Sequence, residues 1–448
     1  MLFRFCSTVP ESSLTTIVYQ AIDASPDRRI TFADYMDLAL YHPELGYYSR
    51  GRGLGAAGDF ATSVHLCADF GELIAVQLVE MWQRLDRPDR FDLVELGAGQ
   101  GILAGDVLRY IKREEPDCFR AIHYRIVEKS ASLRRVQQQQ LADLQTEVLI
   151  AWCELEAIAD TSIVGCCFSN ELIDAFPVHR VRVCGGNGAE DGEGEGKGQF
   201  QLQEVYVTYD VNAPEAGCIE TIGELSTPAL AQYFADAGID LCNTQRDAPE
   251  QTAAQRQTNR IQHYPVGYTT EVNLAAKGWM TSIDRILDRG YVLTIDYGYD
   301  TDRYYVPYRQ DGTLNCYSQH QHHPDPYQNL GLQDITAHVD FGAIERWGEA
   351  LGLVTLGRTP QALFLMALGL GDRLSGLGQG NWRNSGDRAG DQTATANDIT
   401  QIFQRHQVLR DLIDPQGLGG FQVLIQQKGD RPLTERSSLA GLATPAMP

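Results

Sequence analysis

The stretch "FDLVELGAGQGILAGDVLRYI", residues 91–111, decides the fold. Its first six residues form an apolar run of strand length, glycines follow at 97, 99 and 101, and an amphipathic helical pattern completes the unit. In a strand–glycine turn–helix a ligand can approach backbone closely and meet the free N–H groups of a helix N-terminus. A second cluster, "GRGLGAAGDF" (51–60), carries Gly53-x-Gly55-x-x-Gly58, the literal dinucleotide spacing. It follows "HPELGYYSR", which is polar and turn-like, so the strand that such a loop needs is missing. Its glycines are read as a flexible segment bringing Asp59 and Phe60 towards the mouth of the pocket built by the first cluster.

The alternation continues outward. Strands are expected at 91–96, 122–128, 147–152 and 162–170, with helices at 101–114 and 130–144 between the first three. It resumes with helix 270–289, strand 290–298, helix 341–352, strand 353–357 and a final strand at 420–429. Such β-α-β order predicts an α/β fold with an open, mostly parallel sheet covered by helices on both faces. Upstream, Thr31 and Asp34 have capping-box spacing before a helix through Leu40, and 70–85 is a second amphipathic helix. The Gly/Glu tract 184–198 is a hairpin tip, 241–262 a long polar loop, and 372–398 a disordered segment. These features divide the chain into an N-terminal helical cap with the Gly-rich loop (1–88), a first core half (89–180) and an inserted hairpin and helical subdomain (181–268). A second core half (269–360) with a substrate loop at 299–340, C-terminal helices with the last strand (361–429) and a disordered tail (430–448) complete it.

A net charge of −22 on 448 residues argues against a nucleic-acid backbone binder and suits a basic or arginine-bearing partner. No run of eighteen apolar residues is present, so no membrane insertion is expected. The start of the chain has neither a signal-peptide core nor an Arg-rich amphipathic pattern. Its ten cysteines make no C-x-x-C pair. The expected compartment is cytoplasmic, with the mitochondrial matrix as the alternative.

A dinucleotide fingerprint would need its third glycine at Ile102, which disfavours a nicotinamide dehydrogenase. The spacing Glu95-x-Gly97-x-Gly99-x-Gly101 instead resembles motif I of class I S-adenosylmethionine (SAM) methyltransferases, a Rossmann-like fold. The resemblance implies a cofactor lying across Gly97, Ala98, Gly99 and Gly101, with Glu95 meeting its ammonium. Glu128, ending the second strand, has two acceptor oxygens for the ribose hydroxyls. Asn170 and Glu171 end the fourth strand, where open α/β sheets place ligands, and Asn170 is assigned to the cofactor. Glu171 and Asp174 are three apart and can face one pocket; the alternative is Asn170 capping a helix with solvated acids after it.

The stretches "ITFADYMDLALYHPELGYYS", "GDF", "FGELIA", "VELGAGQGIL", "SNELIDAFPVHRV", "IDYGY" and "DITAHVDF" together resemble the MidA family. That family includes the mitochondrial complex I assembly factor that methylates arginine. The resemblance implies a SAM-dependent protein arginine methyltransferase, with symmetric dimethylarginine on an NADH dehydrogenase subunit as product. The alternative is a SAM-binding assembly factor that holds a partner with little catalysis. A homodimer is a further expectation. Two features depart from the family: Val64-His65 stands where it has Pro-Glu, and in 309–323 only Arg309 and His320 match comfortably. Methylating a protonated guanidinium needs carboxylates that grip it, for which Glu171 and Asp174 are the candidates, and a proton acceptor, for which His320 and His338 are. His320, His322 and His323 have no second ligand cluster beside them, so no metal is expected.

Overall fold

The computed structural model describes residues 13–50, 63–185, 200–242, 263–318, 321–378, 396–429 and 438–444. The chain forms two compact units. The core unit comprises the described residues within 54–173, 279–298 and 344–448, and the second unit the described residues within 1–53, 174–278 and 299–343.

The core unit is a seven-stranded sheet. Its strands are β1 (Phe91–Leu96), β2 (Ile122–Val127), β3 (Leu149–Cys153), β4 (Ile163–Asn170), β5 (Leu287–Asp296), β6 (Val354–Pro360) and β7 (Gln422–Lys428). Their spatial order is β3-β2-β1-β4-β5-β7-β6. The five strands β3, β2, β1, β4 and β5 are parallel, and β7 runs antiparallel to both β5 and β6. β1 is buried along its whole length, as expected of a central parallel strand. Helices α1 (Ala68–Arg84) and α2 (Ile102–Glu114) cover one face. There Phe70, Leu78, Val107 and Ile111 join Leu93, Tyr124, Phe168 and Leu293 of the strands in one apolar cluster. On the opposite face Gln426 of β7 lies against Gly348 of helix Phe341–Ala350. The strands thus match the expected α/β fold closely.

The second unit holds the segments that the sequence leaves far apart. Strand Gln201–Tyr209 pairs antiparallel with Ile30–Thr31, His179–Cys184 and Cys218–Gly223. Thr31 caps helix Phe32–Tyr41 through the expected box with Asp34. The predicted helix 270–289 is corrected at both ends: Thr269–Val272 is a strand on His179–Cys184, the helix is Leu274–Ile286, and β5 begins at Leu287. The β-branched run Thr269, Thr270, Val272 favours extension, and Asn273 restarts the chain by accepting from the Ala276 N–H at 2.9 Å.

Two segments read as disordered are partly ordered. Residues 371–378 are helical, and a further helix spans Ala396–Asp411. They are tied to the first turn of α1, where buried Asp69 accepts from Arg373 at 2.6 Å and from Arg405 at 2.7 Å. In the tail, 438–444 pack on α1: the Ala440 N–H donates to Glu80 and the Gly441 N–H to Gln77, with Leu439 fully buried. Most of the Gly/Glu tract and of the polar loop at 241–262 lie outside the described residues. Leu439→Ala should destabilise the protein by about 3 kcal/mol, the usual cost of emptying a leucine site, as read from urea unfolding.

Candidate active site

At β1 the connections diverge, so its carboxyl end is the switch point at which open parallel sheets take ligands. The glycine turn leaves from there. Gly97, Gly99 and Gly101 have φ of 70°, 53° and 79°, left-handed values that strain any residue with a Cβ. At Gly97 a Cβ would also stand 2.6 Å from Leu172 Cδ1. Ala98 between them is buried. The Gly97 N–H donates to the Val127 carbonyl and the Gly105 N–H to Gly101, so the turn joins the end of β2 to the start of α2.

Two buried acids flank the turn. Glu95 accepts from the Tyr124 hydroxyl at 2.6 Å, and no cation pairs with it among the described residues. Burial pushes its carboxyl up to about 7, against the Tyr124 hydrogen bond and with a smaller push from the Glu128 charge. Glu128 accepts from the Ser130 N–H at 2.8 Å and from Gln137 Nε2 at 3.1 Å. Its carboxyl is also raised by burial, opposed by those hydrogen bonds. An uncompensated buried carboxylate next to another acid suits a ligand carrying a cation and hydroxyl donors, which SAM is.

At the end of β4, Asn170 Nδ2 donates to Glu171 Oε1 at 3.1 Å, and the Ser63 N–H donates to the same oxygen at 3.2 Å. Asn170 therefore does not cap a helix; its side chain is turned to Glu171. Glu171 itself has φ of 51°, a strained value for a residue with a Cβ. Asp296, the last residue of β5 and fully buried, holds this turn. Its Oδ2 accepts from the Leu172 and Ile173 N–H groups at 3.2 and 2.9 Å, and its Oδ1 from Tyr297 at 2.9 Å. Asp296 lies in the "IDYGY" stretch noticed in the sequence but was given no role there. Gln137 carries no local signal in the sequence.

Asp174 belongs to the second unit, where its carbonyl accepts from the Ala337 N–H at 2.9 Å. His338 is in that unit too, packed on the Tyr299 ring at 5.1 Å. Burial, with the Arg309 charge adding to it, pushes its imidazole down to about 4. Of the two proton-acceptor candidates, His338 is thus held neutral by desolvation. His65 of helix Ser63–Leu66 is lowered by burial, against a hydrogen bond with Gln100 of the glycine turn. Asp59, Phe60 and His320 lie outside the described residues.

The family model described as "Putative S-adenosyl-L-methionine-dependent methyltransferase" matches residues 73–359. The chain belongs to this family. It is a SAM-dependent methyltransferase, as the motif I spacing implied. Similar to it is the Drosophila melanogaster "Protein arginine methyltransferase NDUFAF7 homolog, mitochondrial", 29% identical over 76% of this chain and 71% of that protein. The Danio rerio "Protein arginine methyltransferase NDUFAF7, mitochondrial" is 28% identical over 84% of this chain and 81% of its own length. A Burkholderia thailandensis crystal structure bound to S-adenosyl-homocysteine (SAH) superposes with a TM-score of 0.72 at 25% identity, covering 96% of this chain and 94% of that one.

Gly97→Ala should lower stability by about 2–3 kcal/mol through backbone strain and the Leu172 contact. Adding Leu172→Ala should remove the steric share, so that the two losses measured by urea unfolding fall short of additive.

Proposed function

We propose that this methyltransferase modifies arginine in a partner protein, with an NADH dehydrogenase subunit as target and symmetric dimethylarginine as product. The observation that carries the arginine reading is the shared name of the relatives, protein arginine methyltransferases, over three quarters or more of this chain. The acidic chain is suited to a basic partner. The target and product follow from the resemblance to the MidA family. The relatives are named mitochondrial, which favours the matrix over the cytoplasmic expectation. A homodimer stays part of the proposal.

Within the site, Glu95 holds the cofactor ammonium, Gly97, Ala98, Gly99 and Gly101 give it room against backbone, and Glu128 takes the ribose hydroxyls. Asn170 borders it. Bound SAM supplies a methyl group on a sulfonium, open to in-line attack. An arginine side chain is protonated and delocalised at any working pH, so the protein must orient it and polarise one nitrogen. Glu171 and Asp174 are assigned that grip through charge-assisted hydrogen bonds. One proton is released per transfer. His320 and His338 are its proposed acceptors; neutral His338 has a lone pair for it but passes it on rather than storing it at neutral pH.

Purified protein incubated with methyl-labelled SAM and NADH dehydrogenase subunits should yield labelled methylarginine. SAM binding with no label on any protein would overturn the reading and leave a partner-holding assembly factor. Glu171→Gln should lower kcat/KM about 100-fold, as for loss of one preorganised polar contact, with SAH affinity unchanged. The ammonium at Glu95 favours its charged form, so binding lowers that carboxyl from about 7 and expels a proton. SAH affinity should therefore rise as the pH is raised through about 7, with proton release visible by calorimetry in buffers of different ionisation enthalpy.

A further inference from the structure

Gln137, in the helix Ala131–Gln140, is fully buried among polar partners. Its Oε1 accepts from Trp152 Nε1 at 3.0 Å. An indole N–H only donates, so this contact fixes which end of the amide is oxygen. The two amide hydrogens are thereby directed to the Gly99 carbonyl at 2.8 Å and to Glu128 Oε2 at 3.1 Å. The Cα of the same residue lies 3.3 Å from the position a Cβ would take on Gly101. Gln137 thus bonds the glycine turn at Gly99 and the acid at the end of β2, and packs closely beside Gly101. Meanwhile the Ser130 N–H engages the other oxygen of that acid at 2.8 Å. Held at both oxygens, the carboxylate cannot turn about its last bond.

We infer that Gln137 is a positioning residue for the cofactor ribose: it locks the Glu128 carboxylate and the Gly99 peptide in one relative geometry. Its role is exerted through Glu128 and the glycine turn. The inference rests on the proposed role of Glu128 as the ribose acceptor. Its physical basis is that an acceptor pair aligned in advance binds two hydroxyls without losing rotamer freedom. Donation from Gln137 also favours the ionised form of Glu128, since it opposes the rise that burial imposes.

The test is titration calorimetry of the full chain with SAH and with its 2′-deoxyribose analogue, across a pH series. Gln137→Met keeps the bulk and removes the donors. It should weaken SAH about tenfold, as for one lost hydrogen-bonding unit, and weaken the 2′-deoxy analogue distinctly less. The acid limb of SAH binding should move to higher pH, because Glu128 then protonates more easily. Should Gln137→Met fail to fold, Trp152→Phe removes the N–H that orients the amide, along with one ring of packing, and the same ligand and pH pattern is expected at about threefold. Equal weakening of both ligands with an unmoved acid limb would overturn the inference and leave Gln137 as packing under the turn. Glu128→Gln separates the two levels. If it leaves SAH affinity intact, the ribose assignment fails and the inference with it; if it weakens SAH while Gln137→Met does not, only the inference fails.

Discussion

Parallel pairing of β1 with β2 on one side and β4 on the other is the constraint on which the site depends. Buried on both faces, β1 must pass every backbone group to a neighbour, and its register with both strands is unbroken from Asp92 to Leu96. The chain moves outward from β1 to β3 and then returns to β4 on the far side of β1. The loops after β1 and β4 therefore part company, and the end of β1 is left uncovered by any crossover. Glu95, the glycine turn, Glu128 and Asn170 all take their places from that divergence.

The opening is lined at a cost in electrostatics. Glu95 and Glu128 are buried, and the Glu128 charge adds to the rise at Glu95; among the described residues no ion pair reaches either carboxylate, the Arg134 charge opposing the rise at Glu128 from beyond salt-bridge range. The protein answers with neutral donors: a tyrosine hydroxyl on Glu95, a backbone N–H and an amide on Glu128. Neutral donors hold a carboxylate in place without cancelling its charge, so the attraction remains available to a cationic ligand. Asp296 follows a different logic. It spends both oxygens on backbone N–H groups and so fixes the turn that carries Glu171.

Legibility in the sequence followed the range of the interaction. The core strands were placed to within a few residues, because apolar runs and glycine turns are local signals. Gln137 shows the opposite case. It opens a run of four glutamines, of which it alone is buried. Nothing local distinguishes it from the three that follow, and its partners lie on other elements. His338 illustrates a related limit: a histidine reads as titrating near neutrality until its burial is known. The stretch 438–444 looked like loose tail because its anchors, Gln77 and Glu80, are more than three hundred residues earlier in the chain.

The sequence by itself determined the parallel β/α core, the cofactor turn and the acids at the ends of β1 and β2, since each is written in neighbouring residues. It also carried the family, through motifs spread along the chain. Only the tertiary structure decided which segments join the second unit, which glutamine supports the turn, and how far burial moves Glu95 and His338. Those outcomes depend on what lies across space from each group, and desolvation has no local signature.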